Sequence, residues 1–225
     1  MEVIARIHNS FATKFGIPRQ SGIAETLESV IVFEPKYRIA EALRGLEEFS
    51  HIWLIWEFSE AKRETWSPTV RPPRLGGNVR MGVFATRSPF RPNNIGLSCV
   101  RLLSIDCEAD NGPLIKVAGA DLMNGTPIYD IKPYLPYTDC IAEATSGFAP
   151  QAASKLLDVH ISDEMRRLVG PKLIDGLTMI LANDPRPQYH HDPERVYHMP
   201  FGDMEVNFKV KDNILEVTEI TRTPI

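Results

Sequence analysis

The apolar residues of this chain gather in short runs rich in β-branched and aromatic side chains, and long polar stretches separate them. Segments 3–8, 26–33, 51–58, 81–86, 95–103 and 114–120 each read as a strand. The most apolar of them, HIWLIWEF at 51–58, has the composition of a core strand. Ile39, Ala40, Leu43 and Leu46 recur at helical spacing, which predicts one short amphipathic helix over 37–46. The chain has neither βαβ alternation nor the Gly-rich turn of a Rossmann fold. Short strands joined by long loops, such as 9–25, predict a mainly β sheet or barrel whose loops carry function.

After Phe148 the pattern changes. Segment 149–161 is apolar and compatible with either helix or strand. Ser162 is placed to cap a helix opening at Asp163, and 171–182 predicts a second helix with Pro171 near its first position. Asn183-Asp184-Pro185-Arg186-Pro187 ends it, and strands follow at 196–198, 203–210 and 214–221. Residues 149–225 are thus expected to form a small α+β module appended to a domain spanning 1–148. Its segment 184–197 offers Arg186, Tyr189, His190, His191 and Arg195 as a contact surface. Adjacent histidines in an extended chain point to opposite faces, so His190-His191 does not indicate a metal.

The stretch best suited to chemistry is the polar loop Arg87-Ser88-Pro89-Phe90-Arg91-Pro92-Asn93-Asn94, between two apolar runs. A tight hairpin needs only a pair of Asn-Gly type. A longer loop stiffened by prolines and carrying guanidiniums, amides and a hydroxyl fits an anionic or nucleobase ligand. A long, well-hydrated hairpin loop accounts for the same residues. Charge distribution favours the first reading. The net charge of −4 argues against binding nucleic acid by bulk charge, yet residues 62–101 hold eight Lys or Arg against one acid, Glu64. Arginine dominates that set, Arg71, Arg74 and Arg80 included, and its planar fork suits phosphate and base edges.

Cys99, Cys107 and Cys140 show no CxxC or Cys/His ligand spacing, so neither a disulfide framework nor a metal is indicated. Cys99 reads as a small core residue. No apolar run reaches membrane-spanning length and an alternating strand pattern begins at Val3, so a cytoplasmic location is expected. A second polar constellation, Asp130-Ile131-Lys132-Pro133-Tyr134, sets an acceptor, a cation and a stacking surface close together. Strand geometry puts Asp130 and Lys132 on one face. The plainer alternative is a surface ion pair beside a core tyrosine.

TRSPFRPNNIGLSCVRLL at 86–103 and DLMNGTPIYDIKPYLPYTD at 121–139 resemble, in order and spacing, the two signature motifs of the TsaA-like family, typified by the bacterial TrmO tRNA methyltransferases. The likeness runs from the first strand through about Asp139, and DPRPQY from Asp184 resembles the family's C-terminal extension. Asn94 stands where proline is common in the family, and Met123-Asn124 replaces a frequent Leu-Asp. The resemblance implies a single-sheet, barrel-like, non-Rossmann methyltransferase fold that binds S-adenosylmethionine near a homodimer interface. It also implies methylation at N6 of N6-threonylcarbamoyladenosine, next to the anticodon at position 37 of a threonine tRNA. On the same basis Arg87, Ser88, Arg91, Asn93, Asn94, Ile95, Gly96 and Leu97 would contact the cofactor, with Asp121, Gly125 and Thr126 from the second motif.

The exocyclic N6 is a poor nucleophile because its lone pair is delocalised, so an acceptor for its hydrogen would help. Asp130 is the first choice for that acceptor and Asp121 the reserve. Tyr134 would lie against the base, and Lys132 would hold phosphate or the threonyl carboxylate. Arg71, Arg74, Arg80, Arg186, Tyr189 and Arg195 are the expected tRNA contacts, giving a salt-dependent affinity. Two other readings stay open. One is the same fold and cofactor acting on another nucleic acid or a small molecule; the other is a non-catalytic nucleotide- or RNA-binding regulator.

Overall fold

In the computed structural model, residues 1–62, 64–72, 75, 78–148, 156–187 and 192–223 are described. Six antiparallel strands close into a barrel in the order β1 (Ala5–His8), β2 (Glu28–Phe33), β7 (Leu114–Ala118), β6 (Ile95–Asp106), β3 (His51–Glu57) and β8 (Pro127–Pro133), with β8 returning to β1. The alternation of β3 shows why this sequence closes so: Ile52, Leu54 and Trp56 point inward, while His51, Trp53 and Ile55 face out. Ile7, Ile31, Ile115, Leu122 and Ile128 complete the barrel filling. A bulge in β8 pairs Asp130 with Ile55 and Ile128 with Trp56, which leaves Tyr129 as the extra residue and turns Asp130 outward. Outside the barrel, β4 (Thr69–Val70) and β5 (Met81–Gly82) form a small ribbon.

Past a short helix α1 (Pro136–Asp139), a second sheet runs in the order β10 (Tyr197–Phe201), β11 (Met204–Lys211), β12 (Ile214–Arg222) and β9 (Asp158–His160), the last pairing parallel with β12. Helices α2 (Asp163–Val169) and α3 (Ile174–Ala182) belong to this unit, and Ser162 caps α2 by accepting the Met165 N–H at 3.3 Å. The long early loop packs here. Phe11, Ala24 and Leu27 are buried in one cluster with Leu177, Leu181, Met199 and Phe208, and Phe15 stacks on Phe208 at 6.3 Å. Burying each large apolar side chain contributes about 2 kcal/mol, so this loop is structural mortar between barrel and second sheet.

Four expectations need correction. Segment 37–46 is not a helix but part of a series of 3-10 turns, Pro35–Tyr37, Ala40–Leu43 and Leu46–Glu48. Gly45, at φ 84°, breaks the run, and only Leu43 is buried among the turn residues. The 81–86 strand ends at Gly82 and gives way to a 3-10 turn, Val83–Ala85; β5 pairs with β4 and not with β6, so the central loop does not join a hairpin. Cys99 is half-exposed on the outer face of β6 opposite Trp53, because the inward positions of that strand are Gly96, Ser98 and Val100. Helix α3 starts at Ile174, with Pro171 in the turn before it. Among the described residues, no helix is long and apolar enough to cross a membrane.

Candidate functional site

Loop 83–94 is organised by its own polar groups. Thr86 Oγ1 donates to the Val83 carbonyl at 2.8 Å and accepts the Ser88 N–H at 3.2 Å; Ser88 Oγ accepts the Phe90 N–H at 3.3 Å. Arg91 Nη1 donates to the carbonyls of Thr86 at 2.7 Å and Val83 at 3.3 Å. Asn94 Nδ2 donates to the Pro89 carbonyl at 2.6 Å and the Ala61 carbonyl at 3.4 Å. At position 94 hydrogen bonds thus supply the rigidity that a proline would have given. Ser88, Arg91 and Asn94 shape the loop, whereas Arg87 and Asn93 are exposed. Arg87 reaches back to donate to Gln20 Oε1.

Behind the loop a buried relay begins at Trp56. Its Nε1–H donates to Ser98 Oγ at 3.0 Å, and Ser98 Oγ donates to Asp121 Oδ1 at 2.5 Å. Gly96 makes this possible: a Cβ there would stand 2.2 Å from Trp56 Cε2, so only glycine lets the indole lie flat against β6. Burial pushes the Asp121 carboxyl above the usual carboxylate range, against the opposing pull of the Ser98 hydroxyl, its own backbone, the Arg87 charge and the Ser21 backbone. Gly125 and Thr126 serve the barrel seam: Gly125 O accepts from Arg6 Nη1 at 3.1 Å, and Thr126 O accepts the Ile7 N–H at 3.2 Å. Asn124 Oδ1 accepts the Asn9 N–H at 3.2 Å.

Asp130 and Lys132 lie elsewhere, on the outer face of β8, and Tyr134 directly follows that strand. Lys132 Nζ is 3.4 Å from Asp130 Oδ2, and the Tyr134 ring is 5.6 Å from Trp53. Asp139 Oδ2 accepts the Leu135 N–H and the Trp53 Nε1–H, each at 2.9 Å, and the Leu135 N–H first, then the indole, hold its carboxyl below the usual range. Beside them Ile95 and Leu97 project outward, Leu97 being 57% exposed. The barrel wall therefore parts the two groups, Ser98 and Asp121 on its inner side, Leu97 and Asp130 on its outer side. The reversed pattern over 95–98, small or polar inside and apolar outside, is the one signal in the sequence that could have revealed this exposed face.

Arg71 and Arg80 are exposed beside the ribbon, and Arg80 Nη1 donates to Thr69 Oγ1 at 3.2 Å. Arg74, Tyr189, His190 and His191 lie outside the described residues. Arg186 grips Asp184 with two hydrogen bonds, at 2.8 and 2.9 Å, which hold its guanidinium charged. Arg195 lies 5.4 Å over the Tyr197 ring at the start of β10. Sequence reasoning missed Ser98, Trp56 and Gln20. Arg19 Nη2 donates to the carbonyls of Asp184 at 3.0 Å and Arg186 at 3.4 Å, so residues 19–20 join the 184–186 turn to Arg87.

The family model for the tRNA-methyltransferase O N-terminal domain matches residues 6–140, and that for the TrmO C-terminal domain matches 148–223. The tRNA (adenine(37)-N6)-methyltransferase of Escherichia coli (strain K12) is 39% identical over 224 residues, covering 96% of this chain and 95% of that protein. A protein of the same name from Eikenella corrodens is 46% identical over 166 residues, 72% of this chain and 92% of its own. The crystal structure of TrmO from Pseudomonas aeruginosa superposes with a TM-score of 0.77 at 31% identity, covering 98% of each chain. With both of its segments matched in order and its fold shared, the chain belongs to the tRNA-methyltransferase O family.

Proposed function

We propose that the protein transfers a methyl group from S-adenosylmethionine to N6 of adenosine 37 in tRNA, acting in the cytoplasm on N6-threonylcarbamoyladenosine in a threonine tRNA. Relatives named as tRNA (adenine(37)-N6)-methyltransferases and as S-adenosylmethionine-dependent methyltransferases support the reaction class. The observation that carries the site is the desolvated Asp121 carboxylate, fixed by Ser98 beside the Arg87 charge. The residues fit the cofactor: Arg87 suits a carboxylate, and Asn93 suits hydroxyls or ring nitrogens. When bound, S-adenosylmethionine supplies an electrophilic sulfonium methyl. The protein must hold N6 in line and accept its hydrogen. A carboxylate with a raised pKa is the better base, so Asp121 is favoured as acceptor over Asp130, which is more exposed and paired with Lys132.

The outer face of β3, β6 and β8 supports a homodimer. Trp53, Ile55, Ile95 and Leu97 make it apolar, and Asp130, Lys132 and Tyr134 then lie within the interface. Incubation with tritiated S-adenosylmethionine and two tRNA pools, with and without the threonylcarbamoyl modification, tests the substrate. Label in a methylated threonylcarbamoyladenosine from the first pool alone is expected. Label in both pools would remove the requirement for the modified base, and label in neither would point to another substrate.

A further inference from the structure

Trp66 and Phe84 take no part in the chemistry above. Trp66 is 51% exposed and Phe84 is 72% exposed, yet their rings lie 6.1 Å apart at 34°. Their placement is fixed by the ribbon. Trp66 precedes β4 and Phe84 follows β5, and the antiparallel register, Thr69 opposite Gly82 and Val70 opposite Met81, brings them together. The Val83 N–H donates to the Pro68 carbonyl at 2.9 Å, and the Val83 side chain is buried, so the base of the pair is anchored. The Arg91 guanidinium sits 5.8 Å over the Phe84 ring while it donates to the Val83 and Thr86 carbonyls. The pair is thereby keyed to the central loop.

Charge decides what such a surface suits. Arg71 and Arg80 are exposed on the same segment, which carries eight Lys or Arg against one acid; Lys62 is paired with Glu57. Aromatic rings on a strongly basic segment, one of them under the Arg91 guanidinium, match single-stranded nucleic acid, whose bases stack while its phosphates meet cations. We propose that Trp66 and Phe84 form a stacking platform for an unpaired nucleobase of the tRNA anticodon loop, distinct from the base that is methylated. The proposal rests on the tRNA reading above and adds the subsite that grips the loop next to its target.

The test compares the wild-type protein with W66A, F84A, the double variant and W66F, using a synthetic anticodon stem-loop RNA. Binding is followed by anisotropy at several salt concentrations and by intrinsic tryptophan fluorescence, with cofactor affinity by calorimetry and mass by sedimentation. The alanine variants are expected to bind the RNA roughly 10- to 100-fold more weakly, the loss of one stacked base. Their slope of log Kd against log salt should stay that of the wild type, because no charge is removed. RNA should quench wild-type fluorescence, W66F should keep most of the affinity, and cofactor affinity and mass should not change. If the wild type binds and methylates the RNA and the double variant does so equally well, the platform is wrong and the tRNA reading stands. A fall in sedimentation mass, with RNA affinity restored at high protein concentration, would make the pair a protein interface and overturn the proposal. A wild type that binds no RNA would overturn both.

Discussion

Ser98 Oγ accepts the Trp56 indole N–H at 3.0 Å and donates to Asp121 Oδ1 at 2.5 Å. An indole can only donate, so the hydroxyl hydrogen is left for the carboxylate and the direction of the relay is set. Ser98→Ala leaves a buried N–H unpaired and removes the principal donor that lowers the Asp121 pKa. The expected result is a stability loss of about 1–3 kcal/mol in urea unfolding. The acid limb of the pH–rate profile should move to higher pH. A limb that stays in place would exclude Asp121 as the proton acceptor.

Asp121→Asn separates stability from activity. Burial holds the folded-state pKa above the unfolded one, so the native state keeps a proton that the unfolded chain has lost. This group's contribution therefore falls as pH rises through the unfolded value and levels off above the folded one. The amide removes that penalty while still accepting from Ser98. Relative to wild type, the variant should be more stable at neutral pH than at acid pH, and methyl transfer should drop about 10²–10⁴-fold. Unfolding curves across pH would refute this if the difference between the two proteins were flat.

How legible the sequence was depended on which side of each strand faced the core. β3 announced itself because Ile52, Leu54 and Trp56 alternate inward, and β1, β2 and β7 follow the same rule. β6 was legible as a strand but not in orientation, since Gly96 and Ser98 face in while Ile95 and Leu97 face out. The 9–25 loop showed no periodicity because Phe11 and Ala24 insert singly into the core of another unit. The motif loop was visible as polar and stiff. What escaped was pairing across distance: Ser98 with Asp121 and Gln20 with Arg87 meet only once the barrel has closed.

Gly96→Ala attacks the same site through packing. The added methyl would overlap the Trp56 ring, whose neighbour across the ladder is fixed by β3 to β6 pairing. The indole must tilt, and its hydrogen bond to Ser98 lengthens or breaks. Overpacking of this kind costs about 1–3 kcal/mol. Thermal unfolding should show that loss together with reduced methyl transfer, and a variant of wild-type stability and rate would show that the ring is free to move.

The outer face gives a third kind of test. Leu97 is exposed opposite Ile55 on the apolar sheet face, so Leu97→Arg adds a charge there without entering the barrel. The fold should survive with near wild-type circular dichroism, because the Leu97 side chain points away from the barrel core. If the proposed homodimer uses this face, sedimentation should show the wild type as a dimer and the variant as a monomer. A dimeric variant would move the subunit contact to another surface.

Arg19 couples the two ends of the chain. Its guanidinium donates to the carbonyls of Asp184 and Arg186, in a turn where Asp184 adopts φ 51° and is clasped by Arg186. The next residue, Gln20, accepts from Arg87. Arg19→Ala should cost about 1.5–3 kcal/mol, since it removes charge-assisted bonds and leaves the carbonyls without that donor. If the 184–186 turn helps to seat tRNA, the KM for tRNA rises as the turn loosens. Gln20→Ala should leave the turn in place and act through Arg87 instead. A double-mutant cycle decides whether the two residues form one strut: a coupled strut makes the double variant less impaired than the sum of the singles, and additive effects would show that the C-terminal turn and the Arg87 loop act independently.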